Sequence, residues 1–131
     1  MIRSPNPETP PYALTVASTD SGGGAGIAAD LKTMTRLGVY GGCVVVSVTA
    51  QNTRGVRSTH VLPPAEVRAQ FDAVTADFEV GAIKTGMLAT EAGVEVTADQ
   101  LAGHDAPAVV DPVMVSTAGD VLLEPGAIDA Y

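Results

Sequence analysis

Two hydrophobic periods alternate along this chain, and that alternation limits its fold more than any other feature. Short apolar runs rich in β-branched residues occupy 12–18, 43–49, 81–85 and 107–110. Between them, apolar residues recur at helical spacing. Ile27, Leu31, Met34 and Leu37 predict a helix over 25–37, with Gly38 as its stop. Val67, Phe71, Val74 and Phe78 predict a second helix, from the Pro63-Pro64 pair to Phe78. A third, over 90–101, is weakened by Gly93 and by β-branched Val94, Val96 and Thr97. The run at 43–49 is apolar almost throughout, as a strand covered on both faces must be. The order βαβαβαβ therefore predicts an α/β fold, a parallel sheet with flanking helices. Residues 50–62 and 114–124 read as loops, and Pro125 opens a short helical segment. No fifth strand follows it, so the sheet is expected to be truncated after about four strands, as in the N-terminal part of a larger domain. Residues 1–11 carry four prolines and no apolar stretch; they read as a flexible leader to one domain over 12–131.

Charge narrows the function. Fifteen acidic residues against seven basic ones give a net charge of −8, which repels phosphate backbones and anionic lipid, so neither nucleic acid nor membrane is an expected partner. No apolar run approaches the roughly 18 residues of a spanning helix. Cys43 is the only cysteine, so no internal disulfide can form, in keeping with a reducing cytoplasm.

In an open parallel sheet, ligands bind beyond the carboxyl ends of the strands. All four predicted strands end there in polar or glycine-rich sequence. After the first come Thr19-Asp20-Ser21 and the loop Gly22-Gly23-Gly24-Ala25-Gly26. Glycines let backbone approach a ligand closely, and a following helix offers free N–H groups to a polar or anionic group. The loop lacks the Gly-Lys-Ser/Thr of a phosphate-binding P-loop. It also lacks a dinucleotide site's ribose-binding acid, since no Asp or Glu lies between Asp30 and Glu66. Asp30, one turn into the helix, either reaches the site or serves the helix dipole. Gln51 and Asn52 follow the second strand; a carboxamide matches the edge of an aminopyrimidine, a ring nitrogen beside an amino group. Lys84 either neutralises a phosphate or pairs with an acid. Asp111, before Pro112, suits Mg2+ or fixes the turn. Met87 and Val113 are apolar wall or core. No serine has a base at triad spacing, so a Ser-His-Asp hydrolase finds no support.

Taken in order, these motifs resemble the hydroxymethylpyrimidine/phosphomethylpyrimidine kinases of thiamine biosynthesis, which have the ribokinase-like fold. The resemblance is carried by Asp20-Ser21-Gly22-Gly23-Gly24-Ala25-Gly26-Ile27, Ala29-Asp30-Leu31-Lys32-Thr33, Thr49-Ala50-Gln51-Asn52-Thr53-Arg54-Gly55-Val56, Lys84-Thr85-Gly86-Met87-Leu88 and Val109-Val110-Asp111-Pro112-Val113-Met114-Val115. It implies phosphorylation of 4-amino-5-hydroxymethyl-2-methylpyrimidine, then of its monophosphate, by ATP and Mg2+. Gln51 would read the aminopyrimidine. Asp30, Ala25, Met87 and Val113 would line its pocket, and Asp111 would sit near metal and phosphates. Gly22, Gly23, Gly24 and Lys84 would lie on the loop and phosphate side. The family usually has glycine at Ser18, proline at Ser21 and glutamine at Ala28; Ser18 would bring a side chain close to the pyrimidine. Family members are considerably longer, and their anion hole and catalytic residue are expected beyond Tyr131, so the chain alone is expected to be a poor catalyst. A homodimer is the expected full-length assembly. The alternatives are a vitamin B6 kinase of the same superfamily and a non-catalytic pyrimidine-binding fragment.

Overall fold

The computed structural model describes residues 9–131. Most of the predicted leader, residues 1–8, lies outside the described residues; residues 9–11 form no regular element and are exposed. The elements run β1 (Tyr12–Ala17), α1 (Gly26–Arg36), β2 (Tyr40–Val45), β3 (Ser47–Asn52), β4 (Gly55–Val61), α2 (Pro64–Thr75), β5 (Val80–Thr85), α3 (Glu91–Ala102) and β6 (Ala108–Val110). A 3-10 turn over Pro125–Ala130 follows.

The predicted parallel sheet is present, in the order β2-β1-β5-β6. β1 is central, and its alternation assigns its two faces. Leu14 and Val16 join Val44 and Ile83 in a core with Val67 and Phe71 of α2, Val94 and Val96 of α3, Leu123 and Ala127. Thr15 points to the other face, where its hydroxyl donates to Asp30 of α1 at 2.6 Å. α1 and the α2/α3 pair thus cover opposite faces. Gly41 of β2 allows the close approach, since a Cβ there would lie 2.8 Å from Met34 Sδ and 2.9 Å from Leu31.

Three expectations are corrected. The run read as one strand over 43–49 is divided between β2 and β3, the chain leaving the sheet around Val46. The predicted loop over 50–62 is the second half of an antiparallel β3–β4 hairpin with a register shift between Ala50 and Gln51. β4 (GVRSTHV) has no apolar face because it packs on no core; all its residues from Arg57 to Val61 are exposed, so the usual strand signal is missing. The second helix ends at Thr75, short of Phe78, whose ring stacks on Tyr12 with centroids 4.4 Å apart.

Local chemistry explains the turns that orient the helices. Gly26 has φ +56, and a Cβ there would fall 2.4 Å from the Ser18 carbonyl oxygen. Only glycine permits this entry into α1, where Ile27 N–H donates to that same carbonyl at 3.1 Å. Thr90 caps α3, accepting from Gly93 N–H at 3.1 Å. Gly93, unfavourable by propensity, is needed by packing: a Cβ would meet the Leu88 carbonyl at 2.1 Å. Gln70 of α2 satisfies the edge strand by bonding both N–H and C=O of Val45 at 2.9 Å.

Gly26→Ala is expected to cost more than about 2 kcal/mol, from left-handed backbone strain plus the clash, read as a lowered midpoint in denaturant unfolding. Burial pushes the Cys43 thiol up, and burial, aided by the charge of neighbouring Tyr40, pushes the Tyr12 phenol up. Both groups are neutral when protonated. The stability from their raised folded values is present below the ordinary values of 9.0 and 10.0 and is lost as pH rises through the folded ones. A melting temperature that falls above this range, and less so in Tyr12→Phe, is the expected result.

Candidate acceptor site

The carboxyl ends of the strands meet a cavity of about 410 Å³. Three segments wall it: the glycine loop with Asp20, Gly22, Gly24 and Ala25; the β3–β4 tip with Gln51, Asn52, Thr53 and Gly55; and the stretch 113–122, where Val115 and Val121 form a single bridge. Gln51, Ala25 and Val113, far apart in the chain, thus line one space with the glycine loop.

The glycine loop is closed by its own acid. Asp20 Oδ1 accepts from Gly22 N–H at 2.8 Å, and Oδ2 accepts from Gly24 and Ala25 N–H at 3.1 and 2.9 Å. Gly23 N–H donates to the Asp20 carbonyl at 3.0 Å. The N–H groups of Gly22, Gly24 and Ala25 are thus taken by an internal carboxylate, which adds negative charge there. The signal was present in the sequence, since an Asp just before a glycine run is a turn-former that bonds backbone N–H groups ahead of it.

Of the two readings of Lys84, the structure shows the pairing with an acid. Its ammonium donates to both Asp30 oxygens, at 3.0 and 2.8 Å, and Thr15 adds a third bond to that carboxylate. Lys84 is therefore the partner of an acid and not a free cation at the rim. Asp30, held by this pair, does not line the cavity, and neither do Met87 and Ser18. Ser18 is 2% exposed. Its hydroxyl donates to the Met87 carbonyl at 2.9 Å and accepts from the Ser47 hydroxyl at 2.5 Å. Three strand ends, β1, β3 and β5, are tied by this relay, which secures the segment carrying Met87.

Gln51 is held by its backbone. Ser21 Oγ accepts from Gln51 N–H at 2.7 Å and donates to Gln51 C=O at 2.6 Å. Thr49 Oγ1 lies 3.3 Å from Gln51 Oε1 but 2.7 Å from the Thr19 carbonyl. Its single proton serves the shorter contact, which leaves the Gln51 carboxamide oxygen able to accept from a ligand. Asp111 is exposed at the end of β6; its carbonyl accepts from Val113 N–H at 2.9 Å. Burial pushes the Tyr131 phenol up; a bond to the Leu88 backbone opposes the shift, and nearby Asp111 adds to it. Sequence reasoning missed the far wall, Val115 to Ala118 and Leu122, because a loop without periodicity gives no signal of what it covers.

With this geometry in view, the chain's relatives are informative. The sequence profile of the phosphomethylpyrimidine kinase family matches residues 20–131. A hydroxymethylpyrimidine/phosphomethylpyrimidine kinase of Streptomyces coelicolor is 57% identical over 124 residues, 95% of this chain and 46% of that protein. The crystal structure of a phosphomethylpyrimidine kinase from Clostridium difficile superposes with a TM-score of 0.85 at 40% identity, covering 92% of this chain and 52% of that one. A Staphylococcus aureus pyridoxal kinase in complex with pyridoxal gives a TM-score of 0.81 at 30% identity, over 94% of this chain and 46% of that one. The chain thus spans about half the length of the relatives it matches. Its parallel sheet with flanking helices is that of the ribokinase-like kinases, and the chain belongs to the phosphomethylpyrimidine kinase family.

Proposed function

We propose that this chain forms the acceptor-binding part of a kinase that phosphorylates 4-amino-5-hydroxymethyl-2-methylpyrimidine and then its monophosphate. The observation that carries this reading is the convergence of Gln51, Ala25 and Val113 on one cavity at the carboxyl ends of a parallel sheet. Gln51 is the reader: its free carboxamide oxygen accepts from the exocyclic amino group while its NH2 donates to the adjacent ring nitrogen. Ala25 and Val113 supply small apolar contacts to the ring. Met87 contributes through the segment whose carbonyl Ser18 holds. With the glycine loop closed by Asp20, the phosphates of the nucleotide and of the monophosphate acceptor are left to other groups.

Phosphoryl transfer depends mostly on positioning and charge stabilisation. ATP would supply the phosphoryl group, and Mg2+ would neutralise its oxygens. Asp111 fits that ion as a single exposed carboxylate. Such an ion takes most of its oxygens from water and phosphate; among the described residues no group of three His, Cys, Asp or Glu is close enough to hold a metal. The lone, half-buried thiol of Cys43 suits a reducing cytoplasm, and no helix of the described residues is long and apolar enough to cross a membrane.

A second reading, a vitamin B6 kinase, is favoured by the superposition on the pyridoxal kinase holding pyridoxal. Gln51 distinguishes the two, since pyridoxal has no aminopyrimidine edge. Calorimetric titration of the chain with each compound is the test. The aminopyrimidine alcohol is expected to bind at least tenfold more tightly than pyridoxal. Gln51→Ala is expected to weaken the alcohol by about tenfold or more, the loss of two hydrogen bonds to a buried edge, with pyridoxal little changed. Equal binding of both compounds, or no effect of Gln51→Ala, would contradict this assignment. The 131 residues alone are expected to bind without appreciable ATP turnover; measurable product would contradict that.

A further inference from the structure

The reading residue sits on a hairpin that has no hydrophobic core of its own, so something else must fix its position. β4 is exposed along most of its length, and a two-stranded hairpin alone is marginally stable in water. Ser18 and Thr19 bond the start of β3, at Ser47 and Thr49, and two further side chains from outside the hairpin hold its tip. Ser21, in the glycine loop, bonds both backbone groups of Gln51 at 2.6 and 2.7 Å. Asp120, in the stretch 113–122, accepts through Oδ2 from the N–H of Val56 at 3.2 Å. Val56 is the residue paired with Gln51 across the hairpin, directly after the register shift. Asp120 is itself braced by Ser116, whose hydroxyl lies 3.2 Å from Oδ2 and accepts from Asp120 N–H at 3.1 Å.

We propose that Ser21 and Asp120 are positioning residues for acceptor recognition: Ser21 holds Gln51, Asp120 holds its cross-strand partner Val56, and together they clamp the pair and so aim the Gln51 carboxamide into the cavity. The inference rests on the substrate reading above. Neither residue touches the ligand; each acts through Gln51. Ser21 stands where the family resemblance leads one to expect proline, which has no hydroxyl, so this chain's version of the clamp is its own. Asp120 itself lines a neighbouring open groove, while Ser116 and Leu122 of the same stretch line the acceptor cavity.

The test uses the isotope-labelled chain with four variants, Ser21→Ala, Ser21→Thr, Asp120→Ala and Asp120→Asn, titrated with the aminopyrimidine alcohol. Backbone hydrogen exchange at Gln51 and Val56 is followed by NMR without ligand. Ser21→Ala and Asp120→Ala are expected to weaken binding by about tenfold, roughly the loss of one or two hydrogen bonds, and to speed exchange at Gln51 and Val56 respectively. Ser21→Thr keeps the hydroxyl and Asp120→Asn keeps an acceptor oxygen, so both should stay within about threefold of the unaltered chain. A merely structural loss would lower the melting temperature and speed exchange throughout β1 and β5 as well. Binding unchanged in both alanine variants overturns the proposal, and so does failure of Ser21→Thr to restore what Ser21→Ala loses. If the unaltered chain does not bind the alcohol, the substrate reading fails, and exchange alone judges the clamp: Gln51 and Val56 unaffected by the alanine variants overturns it.

Discussion

Everything on the acceptor side of this fold is arranged around the carboxylate of Asp20. Three backbone N–H groups converge on its two oxygens, and a fourth bonds its carbonyl. Charge-assisted bonds of this kind are short and strong. They curl the glycine loop back on itself, seat Ser21 against Gln51, and leave Gly26 in the one conformation that starts α1. The cavity lies beside the loop so closed. Polar contacts do here what apolar packing does elsewhere in the molecule.

The two halves of the sheet's neighbourhood are held by different physics. The face of Leu14, Val16, Val44 and Ile83 is sealed by α2 and α3 as an ordinary apolar core. The opposite face, under α1, carries the Thr15–Asp30–Lys84 group. An ion pair that is only partly removed from water contributes modestly to stability. Its value is geometric, since it joins α1 to β5 and consumes the only lysine on the strand ends. At the rim, hydroxyls take over: Ser47 to Ser18 to Met87, Thr49 to Thr19, Ser21 to Gln51. β6 pairs on one side only, and Val109 and Val110 are 68% and 52% exposed.

Much of this was legible in the residues. Leu14 and Val16, Val44 and Ile83 announce parallel strands, and Ile27, Leu31 and Met34 announce the helix that covers one face. The glycine run after β1 marks the rim, and Gln51 stands out as a planar donor and acceptor after a β run. What escaped has a common cause. β4 lacks an apolar face, so periodicity cannot find it. Lys84 and Asp30 are 54 positions apart, and Ser21 and Gln51 are 30 apart; nothing local says which of a lysine's two readings holds. Asp20 was readable as a turn-former, but that its oxygens would take the N–H groups of Gly22, Gly23, Gly24 and Ala25 is a fact of three-dimensional geometry.

By itself, then, the sequence determined the helices, the presence of a parallel sheet and the identity of the rim residues, because hydrophobic period and turn chemistry act over a few neighbouring positions. Tertiary structure alone decided which polar groups satisfy one another. A carboxylate or ammonium has a fixed number of lone pairs or protons, and whether a ligand or the chain itself takes them depends on which distant segments the fold brings within about 3 Å.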